Sequence, residues 1–192
     1  MTQPLTPADY LKKILTARVY DVAVESPLEP AKNLSQRLKN RVLLKREDQQ
    51  PVFSFKLRGA YNKMAHLTPA QLERGVICAS AGNHAQGVAE SANILGLKAT
   101  IVMPADAPTA KIESTRRRGA AVRLYDRVNE SREAIAAEIA EKTGATTIRP
   151  FDDGWIMAGQ GTTGLEAINN AATLGVTFGS LICNASGGGL LS

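Results

Sequence analysis

An open α/β fold, with mostly parallel sheets and flanking helices, is the class this sequence predicts. Short apolar runs alternate along it with helical patterns of roughly 10–15 residues, the mark of βαβ units. Glycine closes several of those patterns, at the position where a helix ends on a left-handed residue. The chain has 192 residues, and at roughly 150 per domain that allows one compact domain or two small lobes.

The elements follow in order. A helix is expected over 7–16. Val42, Leu43 and Leu44 read as a strand. Leu57, Ala60, Tyr61, Met64 and Ala65 fall on one helix face. Gly75 precedes a strand at 76–79, and the next helix turns Ala85, Val88, Ala89 and Ala92 inward until Gly96. A strand at 99–103 stops at Pro104. A helix over 109–118 ends at Gly119 and leads to a strand at 121–124. A helix near 130–142 ends at Gly144 and leads to a strand at 146–149. A longer helix runs from about 155 to 172, and a last strand is expected at 180–183. No repeat, low-complexity tract or linker interrupts the series, so any lobes are continuous.

Composition excludes several classes. Apolar residues make up 44% and charged residues 21%, which is ordinary for a folded domain. Mean hydropathy is −0.13, and no apolar run approaches the ~20 residues of a membrane span. Residues 1–16 contain Asp9, Lys12 and Lys13 and do not read as a secretory signal. Two cysteines, Cys78 and Cys183, are too few for a disulfide scaffold or a Cys-rich zinc site, and no metal is expected. Both read as apolar strand cysteines in a reducing cytoplasm.

The net charge is +5, and +4 of it falls in 111–132, where seven basic residues meet three acidic ones. Lys111, Arg116, Arg117, Arg118, Arg123, Arg127 and Arg132 could form a nucleic-acid patch or a solvated helix end and loop. No nucleic-acid-binding motif supports the first, and nine aromatics in the whole chain leave little for base stacking, so no nucleic-acid partner is expected.

Parallel sheets place ligands beyond the C-terminal ends of their strands. Three places carry unusual chemistry. Ser80, Ala81, Gly82, Asn83 and His84 lie between a strand and its helix. Gly82 permits a tight turn, Asn83 or Ser80 could cap the helix, and free N–H groups there suit a carboxylate or phosphate. An ordinary capped turn is the alternative. Next, Lys56 stands at the start of a helix, where the dipole, with Arg58 and Lys63 nearby, would favour the neutral and nucleophilic amine. An exposed lysine with a mobile stem is the alternative. Last, Ser186, Gly187, Gly188, Gly189 and Leu190 follow the final expected strand. Their amides could wrap an anion, or they could form a flexible tail. Gly159, Gly161 and Gly164 mimic a dinucleotide fingerprint. A helical pattern precedes them and no acidic residue follows Glu166, so close helix packing is the better reason for these glycines.

These segments together resemble the threonine dehydratases, pyridoxal-phosphate enzymes of the tryptophan-synthase-β-like group. The likeness runs through residues 45–48, 51–61, 79–89, 101–104, 158–162 and the glycine loop, nearly the whole chain. The wording from Phe55 to Tyr61 is similar to the biosynthetic branch, which feeds isoleucine synthesis. The resemblance implies fold type II of the pyridoxal-phosphate enzymes, with a smaller α/β lobe at about 57–150. Residues 1–56 and 151–192 would form part of a larger lobe.

It also implies roles. Lys56 would hold pyridoxal 5'-phosphate as a Schiff base and then act as base at Cα. Phe55 would lie near the cofactor ring, and Asn83 would bond the ring hydroxyl. Ser80, Ala81, Gly82, Asn83 and His84 would receive the substrate carboxylate. Ser186, Gly187, Gly188, Gly189 and Leu190 would wrap the phosphate. The implied reaction converts L-threonine to 2-oxobutanoate and ammonia, and L-serine to pyruvate, in a cytoplasmic homo-oligomer, a tetramer in the family. Racemase relatives tend to carry serine where this chain has Ala81, which favours the dehydratase over a serine racemase-like enzyme.

Two departures stand out. Ser186 occupies the first position of what is usually a four-glycine run. The chain also stops at Ser192, just past the loop, so 1–192 reads as the N-terminal part of a catalytic region with the larger lobe incomplete and no regulatory domain. A non-catalytic truncated fragment is therefore the second reading.

Overall fold

A computed structural model of the chain describes residues 5–191. Ser192 and residues 1–4 of the segment read above as no secretory signal lie outside them. The first part runs α1 (Pro7–Leu15), β1 (Leu28–Pro30), α2 (Lys32–Leu38), β2 (Leu43–Lys45), a 3-10 turn (Glu47–Gln49) and α3 (Lys56–Met64). Then come α4 (Pro69–Arg74), β3 (Val76–Ala79), α5 (Asn83–Leu95), β4 (Ala99–Pro104), α6 (Thr109–Arg117) and β5 (Ala121–Tyr125). The chain continues through α7 (Arg132–Thr143), β6 (Thr146–Thr147) and α8 (Gly154–Thr173).

Local chemistry sets many of these bounds. Thr6 and Asp9 form a reciprocal capping box at α1, with Pro7 at the first helical position. Asp153 accepts from the N–H groups of Trp155 and Ile156 at 2.9 and 3.2 Å and starts α8. Gly96 and Gly144 end α5 and α7 in the left-handed region, at φ 68° and 71°.

Four parallel strands form the main sheet, in the order β5-β4-β3-β6. The antiparallel pair β1–β2 stands apart from it. Strand alternation divides the core. Val76, Cys78, Ile101 and Met103 pack with Ala85, Val88, Ala89 and Ala92 of α5. Ile77 and Val102 point the other way, with Tyr125 and Ala136. Helices therefore cover both sheet faces, as a buried parallel sheet requires. The expected α/β class is the class observed.

Three expectations need correction. Residues 180–183 form no strand, and Leu181 and Ile182 are 75% and 95% exposed. An apolar run becomes a strand only when a neighbour completes its ladder, and among the described residues none pairs with it. Cys183 is accordingly no strand cysteine, whereas Cys78 lies fully buried in β3. Neither Ser80 nor Asn83 caps α5: Gly82 occupies the N-cap and Asn83 is already the first helical residue. Elements β1, α2 and α4 had no counterpart in the sequence reading, because they are short and neither helix buries a residue fully.

The glycines at 159, 161 and 164 are helical, within α8. A Cβ on Gly159 would lie 2.6 Å from the Gly59 Cα and 2.8 Å from the Arg58 carbonyl oxygen, so α3 and α8 touch backbone to backbone. A Cβ on Gly164 would meet nothing within 4 Å. Gly159→Ala should destabilise the fold by roughly 1–3 kcal/mol through overpacking. Gly164→Ala should be neutral or stabilising by up to ~1 kcal/mol. Urea unfolding of both variants checks the pair, and equal effects would show that packing is not what these glycines serve.

Candidate active site

The site forms where β3 and β6 end. Beyond β3 the chain turns through Ser80 and Gly82 into α5. The Ser80 hydroxyl accepts from the Gly82 N–H at 3.3 Å. No side chain caps the helix, and a Cβ on Gly82 would meet nothing within 4 Å. The first-turn amides of α5 therefore lie beside open space, at the positive end of the helix.

Lys56 is the first residue of α3. Its backbone lies against Gly87 of α5, where a Cβ would come within 3.1 Å of the Lys56 carbonyl. The half-buried ammonium donates to the Pro150 carbonyl at 2.6 Å, and Nζ is 5.4 Å from the centre of the Phe55 ring. Burial pulls the Lys56 pKa below the ordinary lysine value. The cause differs from the one the sequence suggested. Arg58 is bound to Glu47 and Glu166, and Lys63 pairs with Asp153 at 2.8 Å, so neither is a free neighbouring charge.

His84, one residue into α5 from Asn83, is 4% exposed. Its Nε2 stands 2.9 Å from the Ile148 carbonyl oxygen, which can only accept. Nε2 therefore carries the proton, and Nδ1 is left as a buried acceptor without a partner. Burial first, and the charge of Lys56 in addition, push the imidazole down to about 4, against the Ile148 bond.

The glycine loop closes the other side. Gly188 adopts φ 86°, and a Cβ on Gly187 would fall 2.2 Å from the Phe151 ring. A Cβ on Gly189 would lie 2.9 Å from the Phe151 Cβ. Backbone and aromatic ring thus meet where only glycine fits. Ser186 avoids that demand, because the described non-glycine residues with positive φ are Lys39, Phe53 and Asp152.

Between these parts lies a cleft of about 410 Å³. Phe55, Lys56, Ser80, Gly82, Asn83, His84, Ser186, Gly187, Gly188, Gly189 and Leu190 all line it. Ala81 is the one expected site residue outside the lining. Lys111, Pro150, Phe151 and Asn184 also line it, and none of them is among the cleft residues that the sequence predicts. Pro150 and Phe151 follow β6, so the strand-end rule could have found them. The lining holds Lys56 and Lys111 as cations and no carboxylate. Among the described residues no group of three or more His, Cys, Asp or Glu could hold a metal, and no helix is long and apolar enough to cross a membrane.

The family model described as pyridoxal-phosphate dependent enzyme matches residues 19–192. The chain belongs to that family. It is 58% identical over 163 residues to the biosynthetic L-threonine dehydratase of Burkholderia multivorans, covering 83% of this chain and 32% of that one. Threonine dehydratase 1 biosynthetic of Solanum lycopersicum is 51% identical, over 100% of this chain and 31% of that one. The chain thus spans about a third of the length of these curated relatives. Among solved structures, the processed form of threonine deaminase isoform 2 from Solanum lycopersicum superposes with a TM-score of 0.79 at 50% identity, over 84% of this chain and 45% of that one.

The cofactor of the family is pyridoxal phosphate, and the residues present fit it. A lysine amine opens on the cleft, an orphaned buried acceptor sits in its wall at His84, and glycines form a backbone cradle where side chains would clash.

The state of His84 has a measurable consequence. Its folded pKa lies below the unfolded value, so the unfolded chain binds more protons between about pH 6.5 and 4. Stability contributed by keeping His84 neutral is present above that window and lost as pH falls through it, by about 3 kcal/mol. Urea midpoints measured from pH 7 to 4 should fall more steeply for the wild-type chain than for His84→Asn.

Proposed function

We propose that this chain is the N-terminal, cofactor-binding part of a biosynthetic threonine dehydratase. The reaction assigned to the whole enzyme converts L-threonine to 2-oxobutanoate and ammonia, and L-serine to pyruvate, as a first step toward isoleucine. The observation that carries the reading is one cleft holding both a half-buried lysine and a glycine cradle. The 58% identity to a protein named for that activity supports threonine as substrate. Maize serine racemase matches at 31% identity, and Ala81 in place of a serine weighs against that alternative.

When bound, pyridoxal phosphate supplies an electron sink for the pair left on the substrate Cα. The other roles belong to side chains and amides of this chain. Lys56 would be the amine that holds the cofactor and the base that takes the Cα proton. Burial suits it to that task by favouring the neutral amine. Its bond to the Pro150 carbonyl orients Nζ. Asn83, on the exposed rim, is assigned to the cofactor ring hydroxyl, and Phe55 would lie near the ring. The 80–84 turn is assigned the substrate carboxylate, which the first-turn amides of α5 attract. The amides of 186–190 are assigned the phosphate.

We also assign residues 57–150 to a smaller lobe and place the enzyme in the cytoplasm. Self-association into a homo-oligomer is part of the same reading. Leu11, Leu15 and Ile168, at 55%, 62% and 64% exposure, offer apolar surface for it.

Adding pyridoxal phosphate to the purified chain should give the visible absorbance band of lysine-bound cofactor. Borohydride should then fix the label at Lys56. In Lys56→Ala the band should vanish, and formation of 2-oxobutanoate from threonine should fall at least ~100-fold. A band without product would favour the non-catalytic fragment, and no band would overturn cofactor binding itself.

A further inference from the structure

The cleft contains a second lysine to which the proposed reaction gives no role. Lys111 is the third residue of α6 and lines the same cleft as Lys56. Sheet order fixes which side it occupies. In the order β5-β4-β3-β6, α6 follows β4 on one flank of β3. Phe151, against which Gly187 and Gly189 pack, follows β6 on the other flank. The 80–84 turn at the end of β3 stands between them. Lys111 therefore approaches that turn from the side away from the glycine cradle.

Its charge is available. Most other basic side chains of the 111–132 stretch are spoken for. Arg116 pairs with Glu113, Arg118 with Glu90, Arg123 with Glu130, Arg127 with Asp106 and Arg132 with Glu133. Lys111 is exposed and makes no ion pair among the described residues. A cation in the first turn of a helix also faces the positive end of its dipole, so helix stability does not account for it there. Lys56, the other cation of the lining, already donates to Pro150. No carboxylate in the lining competes for an entering anion.

We propose that Lys111 is a substrate-recognition residue, whose ammonium engages the α-carboxylate of the amino acid held at the 80–84 turn. It adds a full charge to amides that offer only partial ones, and it selects for substrates with a free carboxylate. In a partly enclosed cleft such a pair is worth more than at an open surface. The proposal rests on the pyridoxal-phosphate reading above and extends it to substrate choice.

The test uses the full chain and two titrations. Pyridoxal phosphate is titrated first, following the visible band, into wild type, Lys111→Ala, Lys111→Arg and Lys111→Glu. L-threonine or L-threoninamide is then titrated into each loaded protein, following the change in that band. Lys111→Ala should load pyridoxal phosphate as wild type does, while its midpoint for L-threonine rises about tenfold. L-threoninamide, which lacks the carboxylate, should show no such rise. Lys111→Arg should restore most of the response, and Lys111→Glu should lose more than Lys111→Ala. Weaker pyridoxal phosphate loading in Lys111→Ala would assign the residue to the phosphate instead and overturn the proposal. Equal shifts for acid and amide, or no shift for either, would also overturn it. Absence of the band in wild type would overturn the underlying reading, an outcome distinct from a band whose threonine response ignores Lys111.

Discussion

The guanidinium of Arg58 is fully buried, and the arrangement of the N-terminal half depends on how its charge is answered. Burial works against the charge, but Glu47 and Glu166 together hold the pKa above the ordinary arginine value. Glu47 receives two bonds of 2.8 Å and Glu166 two of 2.5 and 2.9 Å. Thr162 and the Val24 carbonyl accept as well. Glu166 is shared further, with Lys45 at 2.6 Å and the Tyr20 hydroxyl at 2.9 Å. A buried charge stripped of its partner costs about 3–5 kcal/mol, so these groups stand or fall together. The knot joins β2, the 3-10 turn, α3, α8 and the segment around Val24, none of which is a strand of the main sheet.

That knot also fixes the site. Arg58 lies two residues beyond Lys56 in the same helix, so anchoring one places the other. Helix α3 is then held from both sides by close contacts at glycines: a Cβ on Gly159 of α8 would clash with Gly59, and one on Gly87 of α5 would crowd the Lys56 backbone at 3.1 Å. Depth and rotation of α3 are thereby set before any ligand arrives, which catalytic geometry demands of a rigid element. Two cations and two anions make up the ionic centre, so it positions Lys56 without adding net charge beneath the cleft.

Local chemistry was readable from the sequence, and long-range pairing was not. The strands β3, β4 and β5 were visible because each is an apolar run bounded by turn residues. The glycine ends of α5 and α7 were visible because a left-handed residue has a narrow choice of side chain. The turn at Asn83 stood out because polar donors crowd a strand end, whereas Lys56 at a helix start is a weak signal that only the resemblance strengthens. Residues 180–183 have the same apolar look as β3, but a ladder needs a partner and local pattern cannot supply one. The Arg58–Glu166 pair joins residues 108 apart in sequence, a spacing that carries no periodic signal. Without that pair in view, Arg58 looked like a free charge acting on Lys56. Lys111 was hidden differently, since a basic stretch gives no sign of which member turns toward a cleft.

Burial has opposite outcomes within this one molecule, and carboxylates decide between them. Arg58 is buried among two of them and stays charged. Lys56 and His84 are withdrawn from water in a cleft whose lining has none, and both are displaced toward the neutral form. The same desolvation therefore meets a paired cation on one side of α3 and favours the neutral form of an amine on the other. An acidic residue in the cleft wall would favour the charged form of Lys56 and compete with any anionic ligand. A wall free of carboxylates favours the neutral amine and leaves an entering anion without a competitor, which suits the lysine-bound phosphate cofactor proposed above.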